Sequence, residues 1–398
     1  MLQLLQMKIL IVSQFYYPEN FVIYKIAETL QKFGHDVHVL TGRPNYGYGY
    51  ILPEYKKIKE EEINGVRVHR VDLPARKRGR LSIIFNYLGF WYNSRKWVRK
   101  TKLKFDVVYS FQLSPVTILS AGNLYKKKHH VKHICHCVDL WPESVLVTNA
   151  VRKKSLTYKI LYSWSKKLYR ACDEILIGSP SYKEYFATTL QIMDKNIVFV
   201  PQPSLVENSR KIKTQNLGEG FNILYCGNIG TIQMIEMIPE AMKLVKNSLV
   251  KFHIIGMGPM SKKLVNKITE LKLEDKVIYH GPLPSPKAAP YFKGANALFV
   301  SLKNEGIVGK TIPNKLVMSM AFTKPILAML EGDGKRILTE SKGGIFARQD
   351  VKFLARAIDK IAAIPTLELK KLGELNQIYY AKHFSLETIT RKIEKHLR

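Results

Sequence analysis

FNILYCGNIG, residues 221–230, sets an apolar run of strand length directly against a turn of small residues. A helical pattern follows from about Ile232, so the stretch reads as the opening of a βα unit. Toward the C-terminus the same unit recurs at VKFHIIGMGP (250–259), KVIYHGPL (276–283), ALFVSL (297–302), PILAML (325–330) and GGIFAR (343–348). Toward the N-terminus, residues 204–220 are polar, weakly periodic and rich in Lys, Asn, Gln and Gly, which marks a linker. Ahead of it lies a second array: KILIVS (8–13), HDVHVLTG (35–42), VRVHRV (66–71), FDVVYSF (105–111), VKHICHCV (131–138), EILIGS (174–179) and NIVFVPQP (196–203). Strands alternating with helices predict parallel sheets. The fold expected is α/β with two Rossmann-like domains, 1–203 and 221–378, joined by 204–220. Residues 379–398 are expected to pack back on the first domain. Ligands would sit outside the carboxyl ends of the strands, in a cleft between the domains.

Composition supports a folded chain with anionic partners. The 398 residues exceed one ordinary core, and 46% hydrophobic content excludes a disordered chain. Lys and Arg number 63 against 32 Asp and Glu, a net charge of +31 that favours phosphorylated substrates, anionic lipid or nucleic acid. Cys135, Cys137, Cys172 and Cys226 lack zinc or redox spacing and read as buried thiols of a cytoplasmic protein. No apolar run is long enough to span a membrane and no signal peptide opens the chain; residues 1–6 form a dispensable leader. The location expected is cytoplasmic, peripheral on the inner face of the cell membrane.

The turn after the first strand, QFYYPEN (14–20), has no glycine, which argues against NAD or FAD in the first domain. The second domain is different. Gly227, Asn228 and Gly230 follow one strand and Gly256 and Gly258 the next, so both turns open on one sheet edge. Amides at a helix N-terminus there would bind a phosphate, although turn geometry alone also explains such glycines. Lys310, Thr311, Pro313 and Lys315 follow ALFVSL and the NEGIVG loop. Pro313 suits a first helical turn and Thr311 a cap. Lys315 opposes the helix dipole, which a bound diphosphate would justify; a solvated lysine is the competing reading.

Residues 75–105 carry ten basic side chains and no acidic one. Leu81, Ile84, Phe85, Leu88 and Trp91 mark one helical face, and Phe85, Trp91, Arg95, Lys96 and Trp97 are the residues expected to meet an anionic membrane. The competing reading is a core helix with solvated ends. His129, His130, His133 and His136 are placed on a strand with alternating faces, which builds no metal site, and no Asp-x-Asp is present. Neither a metal nor a cofactor is expected.

These motifs together resemble the retaining glycosyltransferase family 4. KILIVSQFYYPEN (8–20), GHDVHVLTG (34–42), PNY (44–46), VDLWPES (138–144), YCGNIG (225–230), IIGMGP (254–259) and TIPNKLVMSMAFTKPILA (311–328) carry the resemblance. It is nearest to the branch that includes fucosaminyltransferases of O-antigen and capsule synthesis. The resemblance implies a GT-B fold, a UDP-sugar donor held by the second domain and a lipid-linked saccharide acceptor held by the first. Gly227, Asn228, Gly230, Gly256, Gly258, Lys310, Thr311, Pro313 and Lys315 would hold the donor. Tyr17, Glu19 and Asn45 would face the acceptor, with Asp139 and Lys315 at the reacting centre. One departure stands out: the pair of glutamates usual in the family falls on Lys310 and Met318 here, with Glu305 as a substitute for one of them. The rival readings are a UDP-sugar 2-epimerase of the same fold, an inactive homologue, and a basic nucleic-acid-binding protein, for which no module is recognisable.

Overall fold

The computed structural model describes residues 6–77, 79–147, 151–206 and 212–398. Residues 1–5 of the leader, Arg78 of the basic run and 207–211 of the linker lie outside the described residues. The chain divides into two compact units, Met1–Pro203 with Leu386–Arg398, and Ser204–Ser385.

The first unit is built on an eight-stranded sheet: β1 (Lys8–Val12), β2 (Asp36–Gly42), β3 (Glu60–Ile63), β4 (Val66–Val71), β5 (Val107–Gln112), β6 (Lys132–Cys137), β7 (Glu174–Ile177) and β8 (Asn196–Phe199). Their order is β3-β4-β2-β1-β5-β6-β7-β8. All neighbours run parallel except β3 with β4. Ile9 to Val12 are fully buried, as a continuous apolar run on a central parallel strand must be. Because β2 and β5 flank β1, the strand order reverses there and a crevice opens at the carboxyl ends of β1 and β5. Strand β3 has no counterpart in the sequence reading. Its charged EEEI hides the alternation, but Asn64 and Gly65 both take positive φ, the two-residue hairpin turn that an Asn-Gly pair favours.

Around this sheet lie α1 (Ile23–Lys32), α2 (Arg80–Lys100), α3 (Leu119–His129), α4 (Glu143–Val147), α5 (Leu156–Arg170) and α6 (Ser181–Thr188). His129 ends α3 and His130 is its left-handed cap, so neither lies on a strand as expected. His133 and His136 do lie on β6. There Ser110 and Asn123 bond the first, and Tyr109 and the Val200 carbonyl the second.

The second unit holds β9 (Phe221–Cys226), β10 (Val250–Ile255), β11 (Val277–Gly281), β12 (Ala297–Ser301), β13 (Ile326–Met329) and β14 (Gly344–Phe346), in the order β11-β10-β9-β12-β13-β14. Its order reverses between β9 and β12. The helices are α7 (Ile238–Leu244), α8 (Ser261–Glu270), α9 (Ser285–Gly294), α10 (Asn314–Met320), α11 (Gly332–Ser341), α12 (Val351–Ala362) and α13 (Thr366–His383). Val206, Ile212 and Leu217 of the supposed linker pack on this unit's core beside Phe292.

The final helix, α14 (Leu386–Leu397), returns to the first unit, where Ile389, Ile393 and Leu397 are buried. His35 bonds Glu394 at 3.1 Å, and Lys132 donates to the carbonyls of His396 and Arg398. The returning segment is therefore shorter than 379–398. Phe384 is buried in the second unit's core, with Tyr379 and Tyr380 packed beside it.

Candidate active site

At the strand-order reversal of the second unit, two glycine turns are pressed together. Gly227 follows β9 with φ +146° and Gly256 follows β10 with φ +140°. A Cβ on Gly256 would lie 1.9 Å from the Gly227 carbonyl oxygen, and one on Gly227 would lie 2.1 Å from Cε of Lys315. Only glycine meets both demands, the left-handed backbone and the missing volume. Lys315 thus lies across the Cα of Gly227. Its Nζ stands 4.5 Å above the Tyr225 ring and donates to the Tyr225 hydroxyl and, at 3.3 Å, to the Asn228 carbonyl. An ammonium has three donors, so one remains for a ligand. Burial lowers the Lys315 pKa to about 8, against a smaller opposite pull from Cys226. A cation half stripped of water, with no carboxylate bonded to it among the described residues, is one that an anion would stabilise.

The amides differ from expectation. Gly227 N donates to the Ile255 carbonyl and Gly256 N to that of Gly281. Gly230 N donates to Gln233 Oε1 at 3.1 Å and Gly258 N to Ser261 Oγ at 2.8 Å. The first two are committed to backbone. The latter two are covered by side-chain oxygens, which an incoming phosphate oxygen can replace. Nor does an α-helix begin near Ile232. Two short 3-10 turns, split by left-handed Met234, precede α7, so no macrodipole stands behind Gly230.

Pro313 immediately precedes α10, and Lys315 is in its first turn. Thr311 does not cap that helix: its hydroxyl donates back to the Val308 carbonyl at 2.8 Å. Lys310 is exposed and lies against Gly332, beside the turn after β13. Glu305 is exposed and paired with Lys303, while Met318 packs into the core against which Phe322 rests.

At the carboxyl end of the first unit's sheet the construction is made of side chains. Glu19 is 4% exposed. Its Oε1 accepts from the amides of Asn45 (2.7 Å) and Tyr46 (2.6 Å), and its Oε2 from Tyr16 (3.4 Å). Burial raises its pKa although all three amides pull it down. Asn45 Oδ1 accepts from the Arg76 amide and from Asn86 Nδ2, both at 3.0 Å. Glu19 and Asn45 therefore fix two loops and hold up three residues at the mouth of the crevice. Those are exposed Tyr46 and, half-buried at the edge, Tyr87 and Arg76, whose guanidinium stacks 4.9 Å from the Tyr46 ring and 5.5 Å from that of Tyr87. Tyr17 is exposed, and its carbonyl accepts from Arg70 at 2.6 Å.

Asp139 follows β6. Ser114, after β5, donates its amide (2.9 Å) and hydroxyl (2.8 Å) to Asp139 Oδ2. Oδ1 accepts from none of the described residues. Burial raises the Asp139 pKa, and the Ser114 bonds partly oppose it. Tyr87 feels the positive charge of Arg76 and the negative charge of Asp139 together, which puts all three in one neighbourhood.

Comparison with known proteins decides the family. A family model described as "Glycosyl transferase 4-like domain" matches residues 20–203, and one described as "Glycosyl transferases group 1" matches 220–363. The probable glycosyltransferase WbjE of Pseudomonas aeruginosa is 28% identical over 300 residues, 71% of this chain and 72% of that protein. Sucrose-phosphate synthase of Thermosynechococcus elongatus superposes with a TM-score of 0.72 at 16% identity over 98% of each chain. HepE of Anabaena, in complex with UDP-glucose, does so at 0.68 and 15% over 98% of this chain and 99% of its own. The chain is a GT-B glycosyltransferase of the family 4 type.

Of the glycosyltransferase's residues expected to turn toward a membrane, Phe85 and Lys96 are exposed and Trp91, Arg95 and Trp97 are half-buried. Phe85 is 58% exposed, as are Leu81, Ile84, Leu88 and Tyr92 to similar degrees, and Lys96 is exposed too. Trp97 instead packs on the core beside His69, their rings 4.9 Å apart. Half-buried Trp91 and Arg95 turn toward α3 rather than standing free: Trp91 donates to Ser120 Oγ at 3.1 Å, and Arg95 to the same oxygen at 2.8 Å. No helix among the described residues is long and apolar enough to cross a membrane. Arg76, Tyr87, Ser114, Gln233 and Ser261 escaped the sequence reading. Only Arg76 and Tyr87 left a trace there, the one as a cation of the basic run and the other as an aromatic beside its helical face.

Proposed function

We propose that this glycosyltransferase moves a sugar, an N-acetylated hexosamine or deoxyhexosamine, from a UDP-sugar to a polyprenyl-diphosphate-linked saccharide in capsule or O-antigen synthesis, with retention. The observation that carries the donor half is Lys315, laid across Gly227 with its pKa lowered and one donor to spare. The donor's diphosphate would take that proton donor and displace Gln233 and Ser261 from the amides of Gly230 and Gly258. Charge on the departing nucleoside diphosphate would then meet positions already oriented for it. That supports chemistry without a metal. The UDP-glucose held by HepE favours a uridine nucleotide over others.

Asp139, clamped by Ser114 and with Oδ1 open, orients the acceptor hydroxyl. Arg76 between its two rings suits an anionic group on the acceptor. With retention, the leaving phosphate accepts the hydroxyl proton. The enzyme acts at the inner face of the cell membrane, as a lipid-borne acceptor requires.

A thermal-shift screen of nucleotide sugars on the full chain tests the donor half, because a ligand at 100 times its Kd stabilises by about 2.7 kcal/mol. A UDP-sugar should raise Tm, and Lys315→Met should abolish the shift. If no nucleotide shifts the protein, or the variant responds equally, the reading fails. Turnover of the donor without acceptor would instead reveal an epimerase.

A further inference from the structure

A groove of about 1070 Å³ runs between α2, α3 and α5 of the first domain, away from Asp139 and its neighbours. On its wall the rings of Trp91 and Trp164 meet edge-on, with centroids 6.3 Å apart. Arg95 stands 5.5 Å over the Trp91 ring, and Lys127 and Lys167 line the same space. None of these three cations pairs with a carboxylate among the described residues. The groove's one carboxylate, Asp173, is already taken by Lys126 at 2.7 Å and the His133 amide at 2.8 Å. The groove therefore holds uncompensated positive charge, with Arg95 half-buried and Lys127 and Lys167 exposed at its edge.

Two helices leading into this groove share an order of side chains. On α2, Ile84, Leu88, Trp91 and Arg95 follow at helical spacing; on α5, Leu156, Ile160, Trp164 and Lys167 do the same. Ile84, Leu88, Leu156 and Ile160 are all exposed, Leu156 by 73%. Apolar, then indole, then cation is the order met on passing from acyl chains through the interface to lipid headgroups. A nucleic acid would leave four exposed aliphatic side chains without partners.

We propose that this groove is a discrete site for the phosphate headgroup of an anionic phospholipid in a bilayer. Arg95 and Lys167 take the phosphate, the two indoles lie at the interface, and the aliphatic residues of α2 and α5 enter the acyl region. The site rests on the proposed lipid-linked acceptor for its purpose, since it would hold the enzyme where that acceptor lies.

Cosedimentation of the full chain with phosphatidylcholine vesicles, with and without phosphatidylglycerol, tests this at physiological salt. Binding should require phosphatidylglycerol. Arg95→Gln with Lys167→Gln should lower partition about thirtyfold, since each basic residue near an anionic surface contributes about fivefold. Lys360→Gln with Lys371→Gln, equal in charge but in the other domain, should change it less than about twofold on the same reasoning. Leu156→Ser with Ile160→Ser should weaken binding by at least about tenfold. Equal binding to neutral vesicles, or equal losses in the two lysine and arginine pairs, overturns the proposal. So does full release of the protein by soluble glycerol phosphate, which would assign the groove to a free phosphate. The UDP-induced thermal shift of each variant shows that it is folded. It also separates the two readings, because loss of that shift with vesicle binding intact would sink only the donor proposal.

Discussion

The two domains reach comparable crevices by opposite means. In the first, the floor is a set of buried polar side chains: Glu19 collects three amides, and Asn45 joins helix α2 through Asn86 and the loop before it through the Arg76 amide. In the second, the floor is backbone brought so close that side chains must be absent, with Gly256 set against Gly227 and Lys315 laid over Gly227. A polar network can lose one bond and relax at a cost of about 1–3 kcal/mol. A backbone contact under 2 Å from the position of a missing Cβ has nowhere to go. Tolerance to substitution should therefore differ sharply between them.

Gly256→Ala offers the largest break. Its Cβ meets a carbonyl at 1.9 Å on a left-handed backbone, so β9 and β10 must part at their ends. The expected cost is about 3 kcal/mol or more, with donor binding lost entirely. Gly227→Ala separates function from stability, since its Cβ meets the far end of Lys315, which can swing away. Donor binding should go while Tm falls by less than in Gly256→Ala. Differential scanning calorimetry with and without UDP reads both, and equal Tm losses in the two variants would refute the distinction.

Lys315→Met comes next. The folded pKa, about 8, lies below the 10.5 of an unhindered lysine. Between those values the unfolded chain binds more protons, so stability rises with pH, and at neutral pH the charged ammonium is a net cost. The variant should melt higher at pH 7, on the order of 2 °C, and lose that advantage by pH 10. Diphosphate affinity runs the other way. A bound anion raises the lysine pKa, so above about pH 8 affinity should fall by up to about tenfold per unit until the bound form also titrates. An affinity for UDP that is flat from pH 7 to 9, measured by calorimetry, would remove Lys315 from the donor site.

The same contrast explains what the sequence disclosed. Gly227, Gly256 and Lys315 were legible because a backbone-built site needs particular residue types at particular turns, and glycines after strands are visible in one dimension. What one dimension did not show is where their amides go: those of Gly227, Gly230, Gly256 and Gly258 are bonded within the protein, a fact that depends on Ile255, Gly281, Gln233 and Ser261 in space. The first domain was less legible. Asn86 and Tyr87 lie on a helix whose neighbours Ile84, Phe85 and Leu88 are exposed apolar residues, and nothing in their spacing shows that one faces Asn45 and the other Arg76. Ser114 and Asp139 come from successive strands 25 residues apart, and only the parallel pairing of β5 with β6 puts them side by side. The strands themselves were read almost throughout, because buried parallel strands are continuous apolar runs. β3 was missed for the opposite reason, since an edge strand with three consecutive glutamates carries no such run.

The smallest expected effect lies in the clamp on Asp139. Asp139→Asn should lower kcat about a hundredfold if the carboxylate assists the acceptor hydroxyl, leaving Tm and donor affinity unchanged. Ser114→Ala is subtler. Its hydroxyl donates to Oδ2 and so favours the ionised carboxyl, while burial pushes the other way. Removing that bond, worth about 1 kcal/mol, should raise the Asp139 pKa by somewhat under one unit. The acid limb of the kcat profile should then move to higher pH by that amount, with full activity restored at alkaline pH, where both forms are ionised. A carboxylate that only braced the loop would behave differently, because the lost bond would depress activity equally at every pH. The shape of that profile, rather than its height, decides between an Asp139 that touches the acceptor and one that holds the wall behind it.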